Sequence, residues 1–414
     1  MDCEWDVEAG LSAEEVRRRF AWARRQGRPA WLWPDVSVES WGAALGTIQE
    51  AAVACLGGEA ATDLDGGAES LGLAGYTSGM GPLLGFWIEQ GRLRAGSSVV
   101  VELERQLRHN RRRAKRMEAV AAALVGRLVE LGIEVLILKG AHTSTVYFPE
   151  PGVRPASDID LLVAHGDGHR AEAVLAHLGF SLQKRSRWES SWFLPAASGE
   201  PRTLTYVHAD DPWSIDLHIS LNISAGRGTP LGCFDLAAPF AGRERWAVDA
   251  RARVLEPAPL LLHLAAHAGV GWQNLTLLRQ VELVLVVRRE VASRRLCWDE
   301  FLATGRLTTA LGYAYPALRL AERLLPGTVP ANVLEECAGW VPRTVRRRLA
   351  RLNPASAQRI GRNSLAEHFM WAQGWRGRLR MLAADLLPDD RHWSDRRRIY
   401  EARAWRLIRG TISR

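Results

Sequence analysis

Two aspartates, Asp158 and Asp160, open the apolar run "DIDLLV". Placing carboxylates at the mouth of a buried strand costs several kcal/mol, on the order of 2–7, unless something compensates. On a strand, residues two apart share a face, with Cα atoms roughly 6.5–7 Å apart. Asp158 and Asp160 therefore point one way, and Ile159 and Leu161 the other. Two carboxylates this close repel unless a cation sits between them. Paired hard oxygen donors suit Mg²⁺, which keeps waters and recruits phosphate oxygens. A third carboxylate, Asp216, lies in the alternating run "WSIDLHISL". On an adjacent strand, roughly 4.8 Å away, it could complete a two-metal site. His218 would share its face. A more ordinary reading has Asp158 capping the strand start and Asp160 paired with Arg154.

The elements that must position these residues are legible as three regions. Residues 1–130 read mainly as helices. "SAEEVRRRFAWARR" begins with a capping box, Ser12 and Glu15. The glycine-rich stretch 57–82 reads as a loop. A long helix from about Val99 to Gly132 carries a basic stretch at 105–116, read as a solvated face rather than an RNA contact. It ends on the apolar face Val120, Leu124, Leu128 and Leu131. Residues 131–255 change period: strand 133–138, helix "AHTSTVYF", a proline-fixed loop, strand "DIDLLV", helix "GHRAEAVLAHLGF". Two alternating strands, "RTLTYVHA" and "WSIDLHISL", then join through "DDP". The expected fold is α+β: an α/β core with a mixed sheet, flanked by helical N- and C-terminal regions. Residues 256–414 are helical and arginine-rich, with Trp371, Trp375, Trp393 and Trp405 expected to pack helix faces.

Composition bounds the function classes. The chain has 414 residues, 47% hydrophobic and 24% charged, with net charge +8. No long uncharged stretch reads as a membrane span, and the acidic start lacks a signal-peptide order. Five scattered cysteines point to a reducing cytoplasm and against a zinc site or disulfide framework. Residues 340–414 hold eighteen arginines, six acids and no lysine. Arginine-rich genome bias or a phosphate-binding surface would each produce this. The only lysines are Lys115, Lys139 and Lys184, and one adjoins the strand–helix turn before the acids. His263 and His267 lack an acidic third ligand on their helix and read as packing or substrate contacts.

The segment "LKGAHTSTVYFPEPGVRPASDIDLLV" resembles the signature of an uncharacterised bacterial nucleotidyltransferase family within the DNA polymerase β-like superfamily. It is also similar to the motif of AbiEii-type toxin nucleotidyltransferases. "SIDLHISL" resembles the family's Val-Asp-Leu-His-Trp strand, and "LLLHLAAHAGVGW" its Leu-His-Leu-x-x-His-Ala segment. The likeness is tight over about 120–225 and looser to about 290. It implies a metal-binding, catalytic triad of Asp158, Asp160 and Asp216 holding two Mg²⁺, or Mn²⁺ instead. Gly140 would sit at the sharp turn that lets backbone N–H groups meet a triphosphate. Lys139 and Arg154 would neutralise phosphate charge, Ser157 could bond a phosphate or orient Asp158, and His218 would join the nucleotide site. The reaction implied is NMP transfer from an NTP such as ATP, with release of pyrophosphate. The implied acceptors are a tRNA end, a small molecule or peptide (relatives occur in natural-product and lasso-peptide gene clusters) or a protein side chain. Two residues depart from the pattern. Ala141 stands where relatives carry Ser or Gly, and Gln280 where they often carry an acid. The rival reading is a non-catalytic nucleotide- or RNA-binding regulatory module.

Overall fold

The computed structural model describes residues 36–59, 62–186, 188–194, 213–221, 223–225, 229–232, 244–271, 275–357, 370–372 and 375–379. The capping-box helix, "RTLTYVHA", Trp393 and Trp405 lie outside them.

In chain order come α1 (Val38–Gly57), β1 (Thr62–Leu64), α2 (Ala68–Ser78), α3 (Gly81–Glu89), β2 (Leu93–Ala95) and α4 (Ser97–Glu130). The stretch 57–82 is therefore mostly ordered secondary structure, not a loop. Its glycines let helices approach closely: a Cβ on Gly75 would lie 3.1 Å from the Cα of Gly81. β1 and β2 form a small parallel pair.

The core follows: β3 (Val135–Ile137), α5 (Lys139–Val146), β4 (Asp158–Val163), α6 (Gly168–His177), β5 (Ser181–Arg185), β6 (Glu189–Phe193), β7 (Ser214–His218), β8 (Ile223–Ala225), β9 (Thr229–Gly232) and β10 (Arg253–Val254). Six strands make one mixed sheet in the order β10-β3-β4-β7-β6-β5. The strand bearing the acid pair begins at Asp158, as its pattern predicts. β7 lies parallel beside it, and Asp160 is in register with Asp216. β5 and β6 pair antiparallel, and β6 covers the other edge of β7. Neither was expected.

The C-terminal helices are α7 (Pro257–Val270), α8 (Leu277–Ala292), α9 (Trp298–Leu307), α10 (Leu311–Leu324), α11 (Ala331–Gly339) and α12 (Arg343–Leu349). Proline at the first turn of α7 suits positions that have no intrahelical N–H to lose. Trp371 is buried, but Trp375 is 67% exposed, with Arg376 over its ring, so it packs no helix face among the described residues.

The sheet separates two cores. Ile159, Leu161, Val163, Ile215 and Leu217 pack against α4 and α6. Leu136, Leu138 and Leu162 join the core built by the helices before and after the sheet. Residues of alternate parity therefore face opposite layers, and Asp158 and Asp160 share the Leu162 side, toward α7 and α8. The 34-residue α4, roughly 50 Å long, reaches both cores and is closed by Gly132 in the left-handed region. Its middle is only in part the solvated face that the basic stretch predicts: Arg108, Arg112, Lys115 and Arg116 are exposed. His109, Asn110 and Arg113 are buried. Asn110 donates to the Gly152 carbonyl at 2.6 Å, Arg113 to the Ala156 carbonyl at 3.2 Å, and Arg111 bridges Glu89 and Glu150. These bonds fix the loop that delivers Asp158.

No helix among the described residues is long and apolar enough to cross a membrane. Cys55, Cys297 and Cys337 are free.

Candidate active site

The Asp160–Asp216 register puts both side chains on one face of neighbouring strands, with Asp158 two residues along. One carboxylate oxygen from each of Asp158, Asp160 and Asp216 lies within 4.8 Å of the others. Among the described residues this is the only cluster of three or more His, Cys, Asp or Glu groups able to hold a metal ion. His263 and His267 form no such site; their rings lie 6.1 Å apart.

The three acids are not equivalent. Lys139 Nζ donates to Asp160 Oδ1 at 2.8 Å, and His218 Nε2 lies 2.9 Å from the same oxygen. Burial works against the charged form of Asp160. The Lys139 ammonium and the His218 hydrogen bond outweigh it and hold the carboxyl well below the ordinary range. Asp158 goes the other way: burial, then the Asp160 charge, raise its pKa to about 6. Burial and the charges of Asp160 and Glu189 likewise raise Asp216. Asp216 Oδ1 is buried without a hydrogen-bond partner. The residues thus fit a divalent cation: hard oxygen donors, two of them on groups whose charged form is disfavoured, and one buried oxygen without a hydrogen-bond partner.

Sequence placed Arg154 either on Asp160 or on a phosphate. It is not paired with Asp160. Its guanidinium forms a two-pronged ion pair with Glu282 on α8, at 2.8 and 3.0 Å, and both side chains are largely buried. The Thr143 hydroxyl also donates to Glu282. Glu282 is the acid of the helical segment, two residues beyond Gln280, which instead donates to the Pro354 carbonyl. Lys139, the other expected phosphate ligand, is committed to Asp160.

The strand-to-helix turn is as sharp as expected, but its strain sits one residue early. Lys139, not Gly140, has a positive φ of 43°, an uncommon conformation for a residue with a side chain. Gly140 packs directly against the Arg154 guanidinium, which a Cβ there would have to displace. Trp246 donates to the Ala141 carbonyl at 3.1 Å and holds the same turn from the sheet's other side. A cavity of about 40 Å³ beside Asp158 is lined by Met117, Ala141, Ser144 and Trp246. Ser157 is exposed, and its carbonyl accepts from the Ser214 N–H at 3.1 Å.

On α5, His142 is 3% exposed and neither ring nitrogen has a hydrogen-bond partner. Burial, then the Arg295 charge, lowers its pKa from 6.5 to about 4. An unfolded histidine takes up its proton as the pH falls through 6.5, the folded one only near 4. The stability this group contributes is therefore whole above pH 6.5 and is lost between 6.5 and 4, by about 3 kcal/mol. Replacing His142 with Phe should flatten the fall of Tm across that window relative to wild type. Identical slopes would contradict the assignment.

Glu282 and Glu189 were missed as neighbours of the cluster. Glu282 lies inside an apolar run, "QVELVLVV", and a buried acid there was a usable signal. No curated protein and no solved structure matches the chain. The model of one family, described as uncharacterised nucleotidyltransferase, matches residues 78–326. That span runs from the end of α2 through α10, carries every residue of the carboxylate cluster and covers more than half of the chain. The chain therefore belongs to this nucleotidyltransferase family.

Proposed function

We propose that the protein transfers an NMP from a metal-bound NTP to an acceptor hydroxyl or phosphate, with pyrophosphate leaving. The observation that carries the reading is the carboxylate cluster: Asp158, Asp160 and Asp216 converge within 4.8 Å on a strand pair in register. Asp158 and Asp160 would hold two Mg²⁺, or Mn²⁺, and Asp216 would hold the one nearer the acceptor. When bound, such ions neutralise phosphate charge and stabilise the attacking and leaving oxygens of an in-line displacement. Asp216 Oδ1, free of any hydrogen bond, is the atom suited to take the acceptor's proton. Lys139 sets the charge of Asp160, and with His218 fixes its orientation through two bonds to Oδ1. Arg154, tied to Glu282, shapes the turn at Gly140 where backbone N–H groups would face the nucleotide.

Kinship to the DNA polymerase β-like superfamily and the AbiEii-type toxins belongs to this reading, as does a cytoplasmic setting. A phosphate-bearing acceptor such as tRNA is favoured by Arg343, Arg346, Arg347, Arg348 and Arg351, all exposed on and just after α12. A natural-product peptide or a protein side chain are the other acceptors considered.

Incubation with α- and γ-labelled NTPs and candidate acceptors tests the reaction type. Label from the α position should enter the acceptor while γ-label leaves in pyrophosphate. Transfer of γ-label, or hydrolysis to inorganic phosphate alone, would contradict it.

A further inference from the structure

The two cations that sequence assigned to the triphosphate are both spoken for. Lys139 is paired with Asp160 and Arg154 with Glu282. A triphosphate brings about three to four negative charges to a carboxylate-rich site; divalent ions on the aspartates would offset part of that charge, and an uncommitted guanidinium would suit the phosphate oxygens they leave free. Arg279 answers that description. It sits on α8 one turn before Glu282, and residues three apart on a helix share a face. Glu282 points into the site, where Arg154 and Thr143 meet it. Arg279 is therefore directed along the same side, at the rim. Among the described residues it has no hydrogen bond or ion pair, and more than a third of its surface is accessible.

It is nonetheless crowded by protein, which lowers its guanidinium pKa, with the charges of Asp158 and Glu282 opposing. His267 on α7 shows the same combination and feels the charges of Lys139 and Arg279. Arg279 and His267 both stand within reach of the charges of Lys139 and the carboxylate cluster. Arg279 also occupies the first turn of α8, where no acid stands. A cation there opposes the helix dipole, while an anion brought to it is favoured by both.

We propose that Arg279 is the residue that grips the terminal phosphates of the nucleotide, and that Arg154 is a positioning residue which does not touch them. The proposal rests on the reading that the carboxylate cluster binds a metal–NTP complex. A guanidinium matches two phosphate oxygens at once, which an ammonium does not.

The test is a nucleotide titration of the full chain in Mg²⁺, using the NTP bound best by wild type, the corresponding NMP, and inorganic tripolyphosphate as competitor. In Arg279→Ala the Kd for the NTP and for tripolyphosphate should rise about ten- to a hundredfold, while the NMP Kd moves less than about twofold. Arg279→Lys should fall between. An accessible side chain with no partner should be removable without loss of fold, and an unchanged Tm checks this. If wild type binds the NTP and Arg279→Ala binds it equally well, the proposal fails and the nucleotide reading stands. An equal weakening of NTP and NMP would also overturn it, since the loss would not follow the phosphates. If wild type binds no nucleotide in Mg²⁺, both fall together.

Discussion

Replacing Asp160 with Asn should lower nucleotidyl transfer by at least about a thousandfold, the scale expected when a metal-borne stabilisation of several kcal/mol is lost. The fold should survive. Asn is nearly the same shape, and its side-chain oxygen can still accept from Lys139 and His218, the two partners of Asp160 Oδ1. Lys139 would keep Asp158 as a charge neighbour. Tm is therefore expected to shift by only a few degrees while activity disappears. Comparison with Asp160→Ala separates charge from shape: Ala should lose the same activity and more stability, because it strands both hydrogen-bond partners. Full activity in Asp160→Asn would remove the metal account.

The second large effect is on stability. The Arg154–Glu282 pair joins the loop before β4 to α8, 128 positions apart, in a largely buried setting. Breaking a buried pair by removing one partner costs about 3–5 kcal/mol, because the other charge is left uncompensated. Glu282→Leu should therefore lower the apparent Tm by roughly 5–15 °C. It also strands the Thr143 hydroxyl. Arg154→Met with Glu282→Leu should regain most of that loss, since two apolar side chains leave no orphaned charge. Activity should not return with stability, because the turn at Gly140 is shaped against the Arg154 guanidinium. A double variant as unstable as the single, measured by thermal melts, would contradict this assignment of the pair.

What could be read from sequence was local. "DIDLLV" carries its own strand limits, its two-residue spacing fixes which side chains share a face, and the apolar alternation around Asp216 marks it as strand-borne. Proline at the start of α7 and glycine after α4 are equally local signals. What could not be read was pairing between distant segments. Nothing near Arg154 announces Glu282, so the arginine was assigned to the nearest plausible anions. Nothing near Lys139 shows that the strained residue of the turn is the lysine. The strand Glu189–Phe193 is a short mixed run, stabilised by its place beside β7 rather than by its own pattern. The glycine-rich stretch 57–82 was misread because glycine serves close helix packing as well as loops. The basic run 105–116 was misread in part, because Arg111, Arg113 and Asn110 are used to hold the loop at 150–156 while Arg108, Arg112, Lys115 and Arg116 stay exposed. Arg279 could be seen only once its neighbours were known to be engaged.

The central claim is that Asp158, Asp160 and Asp216 form a metal-dependent nucleotide site. It is tested most directly by titrating all four NTPs, with and without Mg²⁺, against wild type and an Asp158→Asn/Asp160→Asn double variant. The account predicts binding of at least one NTP that requires Mg²⁺ and is lost in the double variant while the fold persists. Binding that ignores Mg²⁺, or that survives in the double variant, would contradict it.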